Sequence, residues 1–105
     1  MAFSGITYIP LALDWGIIEN NVTRTISVPG IYCNGGLLIC WGEDWQNHGR
    51  YYGLYVISAG ETGISVVKIS GNISVSSSGA TSIIIQGVYA GHVGYVFMKR
   101  NYSYM

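Results

Sequence analysis

The scarcest feature of this 105-residue sequence is charge. Asp, Glu, Lys and Arg make up 10% of the residues, whereas about 25% is usual for a soluble domain. Five basic residues balance five acidic ones, so there is neither a basic stripe for nucleic acid nor a Lys/Arg-rich face for a membrane surface. Half of the residues are hydrophobic, which argues against intrinsic disorder. We therefore expect no nucleic-acid partner and no membrane insertion.

Cysteine is also scarce. The sequence holds Cys33 and Cys40, too few for a zinc site of the usual four ligands. A turn at 34–36 would place the two cysteines at offset positions of a hairpin, so we expect two free thiols rather than a disulfide. Free thiols indicate folding in a reducing cytoplasm. Met1–Gly5 lack a basic region and a long apolar run, so we expect no secretory signal there.

No segment favours a helix. Alanine is scarce, glycine occurs 15 times, and β-branched and aromatic residues form short runs between turn residues, as in strands. The predicted strands are Gly5–Ala12, Trp15–Asn20, Val22–Val28, Leu37–Trp41, Tyr51–Ala59, Gly63–Ser70, Ile73–Ser76, Ser82–Gln86 and Val93–Arg100. Turn signals recur about every 8–12 residues, which is typical of a sandwich or barrel. We predict one all-β domain over residues 1–105, an antiparallel β-sandwich.

Two predicted strands are apolar on both faces, Tyr51–Ala59 and Val93–Met98. A strand of an antiparallel sheet that is apolar on both faces is covered twice, once by the core and once by a neighbouring subunit. With the low charge, this predicts a homo-oligomer. The candidate interface residues are Tyr51, Tyr55, Tyr95, Val96, Phe97 and Met98. The alternative is a monomeric β domain covered by Ser and Thr.

Three segments resemble the trimeric β-sandwich heads that cap phage tail fibres and related receptor-binding proteins. They are Thr25–Tyr32, where a strand enters a Pro-Gly turn, the aromatic strand Tyr51–Val56 and the closing apolar strand Val93–Met98. These heads share a jelly-roll plan with the C1q and tumour-necrosis-factor-like domains. The resemblance implies a jelly-roll-like homotrimer that binds a receptor and belongs to a virion or an extracellular particle.

The segment Trp41–Tyr52 combines aromatic rings with polar side chains. It holds two of the five acidic residues and two of the three tryptophans. An indole can stack on the apolar face of a sugar while neighbouring polar groups bind its hydroxyls. The candidate ligand-binding residues are Glu43, Asp44, Trp45, Gln46, Asn47, His48, Arg50 and Tyr52. For Trp41, which ends an apolar strand, a core or interface role is favoured instead.

The same segment offers little for catalysis. Glu43 and Asp44 are adjacent, so in an extended strand they point apart, whereas glycoside hydrolysis needs two carboxylates that flank one bond. The sequence has no Gly-x-Ser-x-Gly motif and no recognised metal-ligand spacing. We therefore expect that the protein is not an enzyme and that it binds no cofactor and no metal. Two hypotheses remain: a module that binds a host-surface glycan or receptor, and a structural capsid, fibre or assembly subunit. The first leaves Trp45 exposed and the second buries it.

Overall fold

The structure is a computed structural model that describes residues 11–28 and 34–100. Its strands are β1 Leu11–Ile18, β2 Thr23–Ser27, β3 Gly35–Asp44, β4 Arg50–Gly60, β5 Gly63–Gly71, β6 Val75–Ser78, β7 Ser82–Gln86 and β8 Gly91–Arg100. The all-β prediction is confirmed, since none of the described residues lies in a helix. Within these two ranges there is accordingly no helix that could cross a membrane.

Two antiparallel sheets form the predicted sandwich. The larger has the order β1-β8-β3-β4-β5 and the smaller β2-β7-β6. In a jelly roll, Greek-key connections carry the chain between distant strands. Here β3, β4 and β5 instead form a meander of neighbouring strands in one sheet. The sandwich prediction is therefore confirmed, but the meander departs from the jelly-roll plan.

The core lies between the sheets, where side chains at alternate strand positions meet. Strand β8 contributes Val93, Tyr95 and Phe97, each 0–2% exposed, and the small sheet contributes Ile83 and Ile85, both fully buried. The remaining core residues include Ile18, Ile26, Leu38, Cys40, Tyr55 and Ile57. The predicted last strand is thus apolar on both faces, with Val93, Tyr95 and Phe97 buried on one side and Met98 exposed on the other.

The predicted turn at 34–36 is wrong, because Gly35 and Gly36 begin strand β3. Gly35 pairs with Ser58 and Arg100 at a φ of 115°. A Cβ atom at Gly35 would overlap the Ile57 carbonyl, and one at Gly36 would overlap the Met98 carbonyl. These glycines permit a close approach of backbones rather than a reversal of the chain.

Because residues 35 and 36 belong to β3 and not to a turn, Cys40 does not lie where the predicted hairpin would place it. Cys40 lies in the middle of β3 opposite Gly53 and Tyr95, and it is a fully buried free thiol. Cys33 lies outside the described residues, as do the predicted Pro29–Gly30 turn and most of the predicted strand Gly5–Ala12. The free state of Cys33 stays a prediction.

Burial raises the pKa of the Cys40 thiol to about 11, and the thiolate is the form that reacts with disulfide reagents. We expect two thiols to titrate after denaturation without reductant. In the native Cys33→Ser variant, which isolates Cys40, we expect labelling at neutral pH to be no faster than global unfolding. Labelling kinetics in increasing urea check this. Labelling of native Cys40 within seconds, or no titratable thiol after denaturation, would contradict it.

Strand β1 is continuous from Leu11 to Ile18 and pairs with β8 along its whole length, so the predicted break around Asp14 is wrong. Asp14 stays in the strand because its carboxylate has partners there: Lys99 Nζ at 3.5 Å and the Tyr95 hydroxyl at 3.4 Å. That hydroxyl also accepts a hydrogen bond from Arg24 Nη1 at 2.8 Å. The polar chain fixes the edge strand against the core.

Candidate functional site

Trp41–Tyr52 forms the end of β3, the connecting loop and the start of β4, with Glu43 paired to Arg50 across the hairpin. Glu43 is exposed, whereas Asp44 is 4% exposed. The two carboxylates therefore lie on opposite faces of β3, as expected for adjacent residues of a strand. They do not flank a common space.

Asp44 is a structural residue of this hairpin, which corrects its assignment to the ligand site. Its carboxylate accepts hydrogen bonds from the backbone N–H of Asn47 at 2.5 Å and of Gly49 at 3.2 Å, and from the Tyr51 hydroxyl at 3.3 Å. The Asn47 hydrogen bond is the largest cause of a pKa below the usual value for this carboxyl. These bonds hold the loop in one conformation.

We expect Asp44→Asn to lower the melting temperature by several degrees near pH 7, because the amide is a weaker acceptor than the carboxylate. A lowered folded-state pKa gives stability that is present above the unfolded value of 3.8 and is lost as pH falls through the folded-state value. The difference from the wild type should therefore shrink below about pH 4. Melting curves from pH 7 to pH 2 check this, and a constant difference over that range would contradict it.

Trp45 stands exposed at the loop, with 52% of its surface accessible. Its backbone N–H donates to the Ala90 carbonyl at 2.7 Å, which ties the loop to the turn before β8. The indole lies against the His92 ring, with centroids 5.4 Å apart and planes tilted by 48°. His92 was not among the predicted site residues, because nothing in the sequence places it beside Trp45.

The other predicted ligand-binding residues surround Trp45 without converging on one point. Gln46, Asn47, His48 and Arg50 are all exposed. His48 Nδ1 lies 3.6 Å from Glu43 Oε2. Tyr52 is half exposed on the large sheet, and its hydroxyl hydrogen-bonds to Ser70 Oγ at 2.7 Å. The loop thus offers one aromatic face and a ring of exposed polar groups.

A second aromatic feature, which the sequence analysis missed, lies on the outer face of the large sheet. Trp15 and Trp41 are 70% and 49% exposed and stand on either side of β8. They form the two sides of a groove of about 430 Å³, which His92 also lines. Gly94 lies between Ile17 and Trp41 in the strand register and forms the floor. A side chain at Gly94 would begin 3.0 Å from the Trp41 indole, so this glycine keeps the groove open.

The alternation of Leu13, Trp15 and Ile17 could have indicated this surface. All three are more than 60% exposed on the outer face of β1. The outer face continues across the other strands with further apolar side chains, namely Met98, Ile39, Trp41, Val56 and Val67. In contrast, β2 of the small sheet exposes Thr23, Thr25 and Ser27. The outer face of the large sheet is therefore mostly apolar, whereas the exposed side chains of β2 are polar.

The predicted interface residues divide between the two sides of the large sheet. Tyr55, Tyr95 and Phe97 are at most 4% exposed and belong to the core, so they offer no surface to a neighbour. Tyr51 packs against the core and binds Asp44. Val96 and Met98 lie on the outer face. The strand alternation sets this division, since Tyr95 and Phe97 must point opposite to Val96 and Met98.

Residues 11–28 and 34–100 contain no group of three His, Cys, Asp or Glu side chains that could hold a metal ion. No known protein family matches the chain, and no curated protein matches it. Among solved structures, the fold is similar to part of the tailspike protein of Acinetobacter phage vB_ApiP_P1, with a TM-score of 0.52 and 12% identity. The match covers 85% of this chain and 21% of the tailspike chain. The likeness is one of fold.

Proposed function

We propose that this chain is a receptor- or carbohydrate-binding head of a phage fibre-type assembly and that it acts as a symmetric homo-oligomer, which we expect to be a trimer. The fold likeness to part of a phage tailspike supports its place in such an assembly. The observation that carries the binding role is Trp45, half exposed on a loop that Asp44 holds in place. The proposal places the protein in a virion or an extracellular particle.

The chemistry of the loop suits a polyhydroxyl ligand. An exposed indole offers its face to the apolar side of a sugar ring. The surrounding amides, His48, Glu43 and Arg50 supply donors and acceptors for hydroxyl groups. Because the loop is braced by Asp44 and by the bond from Trp45 to Ala90, little conformational entropy remains to be lost on binding. Several identical heads in one oligomer would raise the avidity by about 10²–10⁴-fold.

The proposal includes no catalytic activity, no cofactor and no metal. Asp44 is engaged by three hydrogen-bond donors, so it is not free to act as an acid or a base on a ligand. Glu43 points away from it and lies near His48. This leaves the loop without the paired carboxylates of glycoside hydrolysis.

We expect Trp45→Ala to abolish binding to a glycan array or to whole host cells, with the melting temperature and oligomer mass nearly unchanged. The indole is half exposed, so its removal costs the fold little while a ligand loses its stacking surface. Tyr89→Ala is the matched control, since Tyr89 is a 66% exposed aromatic residue outside the loop. Unfolding of Trp45→Ala, or a wild-type oligomer that binds no glycan or cell, would contradict the proposal.

A purely structural subunit of a capsid, fibre or assembly is the alternative function. The observation that favours it is the apolar outer face of the large sheet, which can serve assembly without any ligand. The two functions differ at Trp45. A structural subunit would bury Trp45 in the assembled particle. In the double variant Trp15→Phe/Trp41→Phe, which keeps Trp45 as the one tryptophan of the sequence, acrylamide quenching would then fall on assembly.

A further inference from the structure

We propose that the outer face of the five-stranded sheet packs on a second copy of this chain, and that the groove between Trp15 and Trp41 is the socket for an apolar side chain of that copy. The inference rests on the proposed homo-oligomer and adds where the copies meet. It assigns a role to Trp15, Trp41 and Gly94, which lie outside the Trp45 loop.

The chemistry of the groove favours an apolar occupant over a sugar. Among the described residues, no Asp, Glu, Lys or Arg lines it. Its floor is β8, which is paired with β1 on one side and β3 on the other, so the backbone N–H and C=O groups there are already used. A sugar in this groove would leave most of its hydroxyls without partners, which costs free energy. An apolar side chain between two indoles carries no such cost.

The size of the outer face matches a protein interface. Each of the five strands occupies about 4.8 Å of width, which makes the face about 24 Å wide, and the ten residues of β8 make it about 33 Å long at about 3.3 Å each. The product, about 800 Å², is what each partner contributes to a standard interface.

The distribution of charge on this face points to a copy of the same chain. Polar side chains stand at its ends, with Arg100 at one end and Glu43 and Arg50 at the other, while the central rows are apolar. An apolar centre with a polar rim is the anatomy of an interface. A partner for this centre must itself be apolar and uncharged, and the outer face of another copy is such a surface. In the proposed trimer, this face of each copy would lie toward the threefold axis and contact both neighbours.

Tryptophans that are buried in an interface tend to carry much of its binding energy. Trp15 is 70% exposed on the edge strand β1, so its side chain contributes more to a neighbour than to its own fold. Gly94, which has no side chain, leaves space in the groove for the side chain of the second copy. A methyl group there would lie 3.0 Å from the Trp41 indole and would narrow the socket.

The test is sedimentation velocity of the full chain over a range of concentrations. We expect Trp15→Lys to raise the apparent dissociation constant of the oligomer at least 100-fold while its circular dichroism and melting temperature stay close to those of the wild type. Tyr89→Lys is the matched control, because Tyr89 is 66% exposed but lies in the turn before β8. It should leave the oligomer unchanged.

A second measurement does not depend on a charged variant. Trp45→Phe leaves Trp15 and Trp41 as the two tryptophans of the chain. On dilution through the dissociation range, their emission should move to longer wavelength as both indoles become exposed to water. If Trp15→Lys fails to fold, this emission shift still tests whether Trp15 and Trp41 lie in the contact between copies.

The results of these experiments test the socket and the proposed oligomer separately. An oligomer that persists in Trp15→Lys, or an emission that does not move on dissociation, would overturn the socket and leave the proposed oligomer standing. A wild-type chain that stays an 11.4 kDa monomer at high micromolar concentration would overturn both. Loss of assembly in Trp15→Lys together with the emission shift supports the inference.

Discussion

In the proposed homo-oligomer, Val96→Glu is expected to cause dissociation at concentrations where the wild type is fully assembled. Val96 lies on the outer face of β8, between Trp15 on β1 and Ile39 on β3. A carboxylate there would be buried without a partner in the assembled protein. Such a charge costs about 3–5 kcal/mol, so the dissociation constant should rise by at least about 100-fold.

Thr25→Glu is the matched control for this prediction. Thr25 also lies in mid-strand, but on the exposed outer face of the small sheet. A charge there stays in water and should change neither mass nor stability by much. Light scattering over a concentration series compares the two. Equal masses for the two variants at every concentration would show that the large sheet is not the contact surface.

Gly36→Ala is expected to abolish folding. Strand β3 is the centre of the large sheet, with β8 on one side and β4 on the other. The new methyl group would overlap the Met98 carbonyl in β8, so the two central strands could not keep their register. The cost of displacing a central strand is comparable to the whole stability of a small domain, about 5–15 kcal/mol.

The same substitution at Gly60 supplies the control for Gly36→Ala. Gly60 ends β4, and a Cβ atom there would meet no neighbour within 4 Å. Gly60→Ala should therefore melt within a few degrees of the wild type. Soluble yield, circular dichroism and thermal melting measure the difference. A folded Gly36→Ala variant with an unchanged melting temperature would contradict the close approach of β3 and β8.

Gly35 and Gly36 show where local patterns mislead. An Asn-Gly-Gly triplet is a strong turn signal, because glycine readily adopts the conformations that tight turns need. The same freedom also serves a strand that must pass close to its neighbours. The sequence cannot distinguish these uses, since the clash that a side chain would cause involves Ile57 and Met98, which are distant along the chain.

The candidate site was predictable in part. The concentration of tryptophan and polar residues in Trp41–Tyr52 marked the β3–β4 hairpin, where Trp45 is half exposed. The role of Asp44 was not predictable, because it depends on how the loop folds back onto its carboxylate. Nor was the contact of Trp45 with His92, which joins the β3–β4 loop to strand β8.

The fold class could be predicted from the amino-acid sequence, because strand alternation and turn spacing are local properties of a chain. Together with the low charge, they also indicated an apolar surface beyond the core. The position of that surface, in contrast, depends on the order and register of the strands. The order β1-β8-β3 brings Trp15 and Trp41 to either side of Gly94, and it sends Tyr95 and Phe97 inward. Strand order and register depend on contacts between distant residues, which no local pattern records.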